Sequence, residues 1–164
     1  MANGLIDPNE LMFTTFDPVL KNRAIMFVEN IPSFMLKKWD YPKYDSDEVV
    51  LHHINVEHYV RGGKGKWSET SVTMEDPIVP SGAQIIMNWL RLHHESTTGR
   101  AGYNYMYMKD IGIYVLGPVG DKVRSWVLKN AWIKATNFGS VDQSTGEKNE
   151  IEFTLRYDYP ILRW

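Results

Sequence analysis

The chain has no cysteine, no long hydrophobic run and no surplus of positive charge. The first absence excludes disulfides, thiolate nucleophiles and every cysteine-based metal site. The second excludes a membrane-spanning helix, which needs roughly 18 or more consecutive apolar residues. The third removes the usual footprint of a protein that grips nucleic acid by its phosphates. Formal net charge is -2 and divides unevenly: residues 1–82 carry eight Lys/Arg against twelve Asp/Glu, residues 83–164 ten against eight. The opening "MANGLIDPNELMFTTFDPVLKNR" lacks the basic stretch and apolar core of a signal peptide, so the protein is expected to be cytoplasmic where it is made.

What is present points to β structure. The chain has 164 residues, a usual size for one domain and enough to bury roughly 70% of its unfolded surface. Aromatic content of 13% with 12 Gly and 8 Pro suits a turn-rich β protein better than a helical bundle. Residues 1–22 hold scattered apolar residues with no sustained period and read as an N-terminal arm; residues 23–164 read as one β domain. Strand patterns begin with "AIMFVENI" and "SFMLKKW", followed by an acidic, Pro-broken loop over 40–48. "VVLHHINVEHYV" (49–60) reads as one long strand with Val50, Ile54, Val56 and Val60 on one face. "RGGKGK" (61–66) then has the glycines of a hairpin tip that returns into a strand over 67–76.

The period changes once. Ser81 with Gln84 three residues on is a capping-box signature, and Ile85, Trp89 and Leu92 recur at helical spacing with Ile86 and Leu90 beside them. This predicts one amphipathic helix ending at His93–His94. After a loop over 96–104, strands are predicted at 105–117, 121–129 and 131–139, with "KN" as a turn between the last two. In the closing strand Ile151, Phe153, Leu155, Tyr157 and Tyr159 alternate with Glu152, Thr154, Arg156 and Asp158, giving one apolar and one polar face. The fold class is therefore α+β, mainly antiparallel β: a sandwich or barrel with one flanking helix.

No chemistry-bearing constellation emerges. His52 and His58 share a face of the predicted 49–60 strand but would stand about 20 Å apart, too far to chelate one ion. His93 and His94 are adjacent on the helix and face different ways. "GGKGKW" fails the phosphate-loop pattern, because Val60 and Trp67 stand where a glycine and a hydroxyl are needed. The clusters "DSDE" and "DQSTGE" lack calcium-loop spacing and read as solvated loops. No catalytic, cofactor-binding or metal-binding residue is assigned, and no cofactor is expected. The six Trp and nine Tyr read as core, as an interface between subunits, or as a stacking platform for sugars or bases.

From Trp67 onward the chain resembles the tail tube proteins of contractile-tailed bacteriophages, a family related to the tubes of other contractile injection systems. The likeness is carried by "GKWSETSVTMED", the helix "AQIIMNWL", and "DIGIYVLGPVGDKVRSWVLKNAWIKATNFGSVDQSTGEKNEIEFTLRYDYPIL". "RAIMFVENIPSFMLKKW" matches the family's first hairpin, so the resemblance covers about residues 24–162. It implies subunits in hexameric rings, each giving strands to a shared inner β-barrel, and rings stacked into a hollow tube through which phage DNA enters the host. It also implies a sheath outside, baseplate and tail-terminator proteins at the ends, no specific DNA binding and no membrane anchor. The protein would reside in the virion tail, after assembly in the host cytoplasm. A slightly acidic chain suits a lumen along which DNA slides.

Carried onto this sequence, the resemblance makes Arg61, Gly62, Gly63, Lys64, Gly65 and Lys66 candidates for contact with the next ring, unless the glycines serve only the turn. Glu57, Tyr59, Glu69 and Ser71, on a 49–76 hairpin, are the expected lumen-facing positions. Glu152, Thr154 and Arg156 join them if their polar face looks inward rather than outward or at a neighbour. Residues 1–22 either reach an adjacent subunit or stay unordered. Rival readings are the tube of a bacterial injection system, a non-contractile tail, a carbohydrate- or ligand-binding β-sandwich with clustered exposed aromatics, and a small β-barrel enzyme with a convergent polar pocket.

Overall fold

The computed structural model of the protein describes residues 18–164. Most of the arm expected over residues 1–22 therefore lies outside the described residues. Eleven strands and two α-helices follow in the order β1 (Ala24–Phe27), a 3-10 turn (Ser33–Met35), β2 (Leu36–Trp39), β3 (Tyr44–Asp45), β4 (Glu48–His53), β5 (Val56–Arg61), β6 (Lys66–Trp67) and β7 (Thr70–Glu75). Helices α1 (Gly82–His93) and α2 (Asn104–Tyr107) come next, then β8 (Lys109–Leu116), β9 (Lys122–Asn137), β10 (Glu150–Arg156) and β11 (Tyr159–Arg163). All strand pairing is antiparallel.

The main strands run β1-β8-β9-β10-β7-β2, with β11 also paired to β9. Strand β9 organises the molecule. Its first part pairs with β8 and β11, and its last residues, Trp132 to Asn137, pair with β10. Two four-stranded sheets, β1-β8-β9-β11 and β9-β10-β7-β2, thus share one strand. Their inner faces enclose one core, which includes Met26, Ile111, Ile113 and Leu128 from the first and Val72, Met74, Ile151, Phe153 and Leu155 from the second. Among the described residues the sheet ends on β1 at one side and β2 at the other and is not closed, in keeping with an α+β sandwich.

Each strand of the core shows why it formed. On β7 Thr70, Val72 and Met74 are buried, and on β10 Ile151, Phe153 and Leu155 are buried while Glu150 and Glu152 are exposed. Period two places every second side chain inward. Helix α1 starts as its sequence predicts: the Ser81 hydroxyl accepts a hydrogen bond from the Gln84 amide at 3.4 Å. The helix buries Ile86 and Trp89, with Ile85 and Leu90 partly covered, while Leu92 is left half-exposed at the rim. The Trp89 indole donates to the Tyr107 carbonyl at 2.7 Å, tying α1 to α2.

Five sequence-based expectations are corrected. The predicted strand 49–60 is a hairpin that reverses at Ile54–Asn55, so Val56 and Val60 share a face with Val49 and Leu51. "AIMFVENI" and "SFMLKKW" do not form a hairpin with each other, because β1 pairs with β8 and β2 with β7. The strand expected from 105 starts at Lys109, since 104–107 close a helical turn, α2. Tyr159 leaves the apolar face and is exposed, because the chain breaks at Asp158 before β11. Finally, "KN" is no turn: β9 runs through it, with Asn130 at φ 55°.

That bend is held by groups far along the chain. Asp110 accepts the Asn130 amide at 3.3 Å and pairs with Lys129, while the Asn130 side chain donates to Asp158 at 2.6 Å. Asn tolerates the left-handed region better than other non-glycine residues. The hydrogen bond from Lys129 holds the Asp110 carboxyl below its ordinary value of 3.8, against a smaller opposing effect of burial. A carboxylate depressed in the folded state stabilises the protein above the unfolded value, and that contribution is lost as pH falls through the folded value. Thermal melts between pH 6 and pH 2 should therefore show an acid-side decline that is shallower in Asp110→Asn. An unchanged decline would remove this pair from the acid response.

Candidate functional site

Two features stand out beyond the core: the outward face of the β9-β10-β7-β2 sheet, and the β4–β5 hairpin. The sheet face follows from the alternation that built the core. Ser71 lies opposite Thr154, Thr73 opposite Glu152 and Glu75 opposite Glu150, while Ala135 and Asn137 flank them from β9. Hydroxyls, short side chains and charges of both signs alternate across it. Glu75 lies 3.3 Å from Lys37 and 3.1 Å from Lys148, and Glu69 pairs with Lys134. The Lys148 hydrogen bond, followed by smaller effects of Lys37, holds the Glu75 carboxyl below the usual range against a partial desolvation cost. The Arg156 guanidinium donates to the Trp67 carbonyl at 3.0 Å. Lys37, Lys134, Lys148 and Arg156 are thus engaged by the protein itself, while Lys38, opposite Thr73, stands exposed at the margin.

Both margins of this sheet are free of pairing among the described residues. Among the described residues β2 pairs only with β7, and residues 132–137 of β9 pair only with β10. An edge strand presents unpaired backbone donors and acceptors that template pairing with another chain. Beside the β9 edge, Trp132 packs on His93 at 5.3 Å and on Tyr107 at 6.4 Å.

The hairpin stands apart from this body. Among the described residues β4 and β5 pair only with each other, in a two-stranded ladder from Glu48–Arg61 to His53–Val56. Directly opposed residues share a face. One face carries Val49, Leu51, His53, Val56, His58 and Val60; the other carries Glu48, Val50, His52, Glu57, Tyr59 and Arg61. Nearly all of it is exposed. On the polar face the Tyr59 hydroxyl donates to Glu57 at 2.8 Å, and His52 lies 3.5 Å from the same carboxylate.

The segment Arg61 to Lys66 is the root of this hairpin and not its tip. Arg61 donates to the Tyr44 hydroxyl at 3.1 Å, the Gly62 amide donates to the Asp47 carbonyl at 2.8 Å, and Lys66 pairs with Asp45 in the small β3–β6 ladder. Tyr44 sits edge-on to Trp67 at 5.0 Å, and a Cβ on Gly65 would fall 1.8 Å from the Tyr44 hydroxyl. Glycine there lets an aromatic brace close over the chain.

The expected lumen-facing residues therefore separate. Glu69, Ser71, Glu152, Thr154 and Arg156 come together on or beside the polar sheet face, while Glu57 and Tyr59 lie on the hairpin; no 49–76 hairpin exists. The separation argued for His52 and His58 also falls, since they occupy adjacent strands. Among the described residues no group of three or more His, Asp or Glu side chains is placed to hold a metal ion. Nor do the aromatics form one platform: Trp39, Trp67, Trp126 and Trp132 pack on the core, and the exposed stacked pair is Tyr103 with Tyr105. The reversal at Ile54–Asn55 had one sequence signal, an asparagine between two alternating runs.

No protein-family model and no curated protein matches the chain. Solved structures do. A chain from the PVC extracellular contractile injection system, sheath/tube terminator in the extended state, aligns at TM-score 0.72 and 16% identity over 92% of this chain and 99% of its own. A chain of the anti-feeding prophage tube-terminating cap aligns at TM-score 0.71 and 15% identity over 99% of both. A chain of the PVC sheath-tube complex aligns at TM-score 0.68 and 16% identity over 89% of this chain and 91% of its own. At such identities the likeness is one of fold: the chain has the fold found in tube and terminator assemblies of contractile injection systems, in agreement with the tail-tube resemblance of its sequence.

Proposed function

We propose that this fold serves here as a tube subunit: six copies form a ring, rings stack, and the β9-β10-β7-β2 sheet lines the lumen. The observation that carries the reading is a polar sheet face with most of its charges paired internally, bounded by two edges that are free among the described residues. Joining the β2 edge of one copy to residues 132–137 of the next would extend one sheet around a ring and satisfy both rows of backbone groups. Glu69, Ser71, Glu152, Thr154 and Arg156 then face the lumen. The hairpin reaches beyond the body toward another copy, with Arg61 to Lys66 as the root that aims it at the contact between rings.

The role is structural and not enzymatic. A sheath surrounds such a tube, and baseplate and terminator proteins close its ends. In a phage tail the cargo is DNA, which a self-paired wall lets slide; in an injection system related to the similar structures, the tube belongs to a secreted particle. A second reading, a ring that caps a tube without extending it, is favoured by the similarity to terminator chains.

Negative-stain electron microscopy of the concentrated protein tests both. Hollow stacked rings of six copies support the tube; single rings that bind tube ends without stacking support the cap. A chain that stays monomeric, alone and with a supplied baseplate, overturns the tube.

A further inference from the structure

Ile54 breaks two local rules at once. It is fully exposed, and it sits at the hairpin turn with φ 49°, a left-handed conformation that strains a β-branched residue. Glycine or asparagine would relieve the turn, and asparagine already stands next door at 55. Behind the tip, Val49 and Val56 are also exposed, on a face that carries no Lys, Arg, Asp or Glu. A strained, exposed aliphatic group on an arm without support from its own body fits a contact made outside the subunit.

A recess among the described residues matches it. Between α1 and the turn after β1 lies a groove of about 280 Å³, floored by Ile31, Ile85, Trp89 and Leu92 and rimmed by Asn30 and Asn88. Its only cation is already engaged: Lys109 lies 3.5 Å from Glu29 and 5.2 Å from the centre of the Trp89 ring, and its side chain is 9% exposed. A groove with its charges paired internally suits an uncharged knob better than an anion. Other clefts among the described residues suit it less. One is ringed by Lys21, Lys37, Lys38 and Asp40, another by the polar 137–152 loop, and the third, of about 510 Å³, opens beside Gln84 and Arg91.

We infer that the hairpin tip docks on a second copy of this chain, with the Ile54 side chain in the groove between α1 and the turn after β1. The Asn55 amide then meets the amides of Asn30 and Asn88 at the rim, and Val49 and Val56 leave water along the groove's flank. This rests on the reading of the chain as a ring subunit and names what the hairpin grips.

The chain's lack of cysteine makes the test clean. Ile54→Cys and Leu92→Cys chains are mixed, assembled and oxidised, and the particles are viewed by electron microscopy. A covalent dimer is expected from the mixture, and a ladder of higher species from the double variant. Ile54→Cys with Met87→Cys, on the other side of α1, should cross-link at least tenfold less. Ile54→Leu should stack as the parent does, and Ile54→Asp should give rings that do not stack. Rings or tubes of normal form without the Ile54–Leu92 cross-link, or with equal cross-linking at Met87, overturn the docking and leave the tube standing. Failure of the parent itself to assemble with a baseplate overturns both.

Discussion

Replacing Phe153 by alanine is expected to lower the unfolding free energy by about 3–5 kcal/mol, the range for deleting a buried aromatic ring from a packed core. Phe153 is 1% exposed on β10, directly across from Val72 on β7 and Thr136 on β9. It stands where the two sheets press together, and rigid strands on both sides limit collapse into the space left behind. Thermal unfolding should fall by roughly 2–4 °C for each kcal/mol in a domain of this size. Denaturant titration should move the midpoint with little change in slope. Phe34, exposed on the 3-10 turn, is the control: its alanine variant should lie within about 0.5 kcal/mol of the parent. A Phe153→Ala loss below about 1 kcal/mol would mean that the sandwich is not closed at β10.

Cutting the hairpin back should have the opposite signature: loss of ring stacking with almost no loss of stability. A variant in which Asn-Gly joins Val50 directly to Tyr59 removes the tip and keeps the root, including the Arg61–Tyr44 bond and the β3–β6 ladder. Asn-Gly is suited to a two-residue hairpin turn. The removed residues pair only among themselves, so the core loses nothing, and stability should change by about 0.5 kcal/mol or less. Under conditions where the parent forms stacked rings, this variant should stop at single, unstacked rings by light scattering and microscopy. Tubes of normal length from the shortened chain would show that the hairpin takes no part in holding copies together.

How far the sequence could be read follows from where its side chains find partners. β7, β10 and α1 were legible because each buries one face in its own subunit, and burial imposes a period. Glu152, Thr154 and Arg156 on the sheet follow from the same alternation read the other way, while Ser71 came with the tail-tube resemblance. The hairpin was misread because its strands bury nothing and because Ile54 is a poor turn residue, so "VVLHHINVEHYV" looks continuous. β9 was cut in two because Lys129–Asn130 has turn chemistry. The groups that hold the bend there and let the strand run on, Asp110 and Asp158, lie 20 and 28 residues away. α2 was hidden by aromatic residues that favour strands, its place set by contact with Trp89. The free margins of the sheet had no sequence signal, since an edge is a property of topology.

A strand common to both sheets has a mechanical consequence. Tension applied at β8 or β11 travels along the covalent backbone of β9 and reaches β10 without crossing a single side-chain contact. Two sheets joined only by apolar packing would slip over each other under a sideways force. Here slippage requires unzipping a hydrogen-bonded ladder or unbending β9 at Asn130, where Asp110 and Asp158 brace it. In a wall loaded by rapid axial movement, each copy would then behave as a stiff tile, and deformation would collect at the seams between copies.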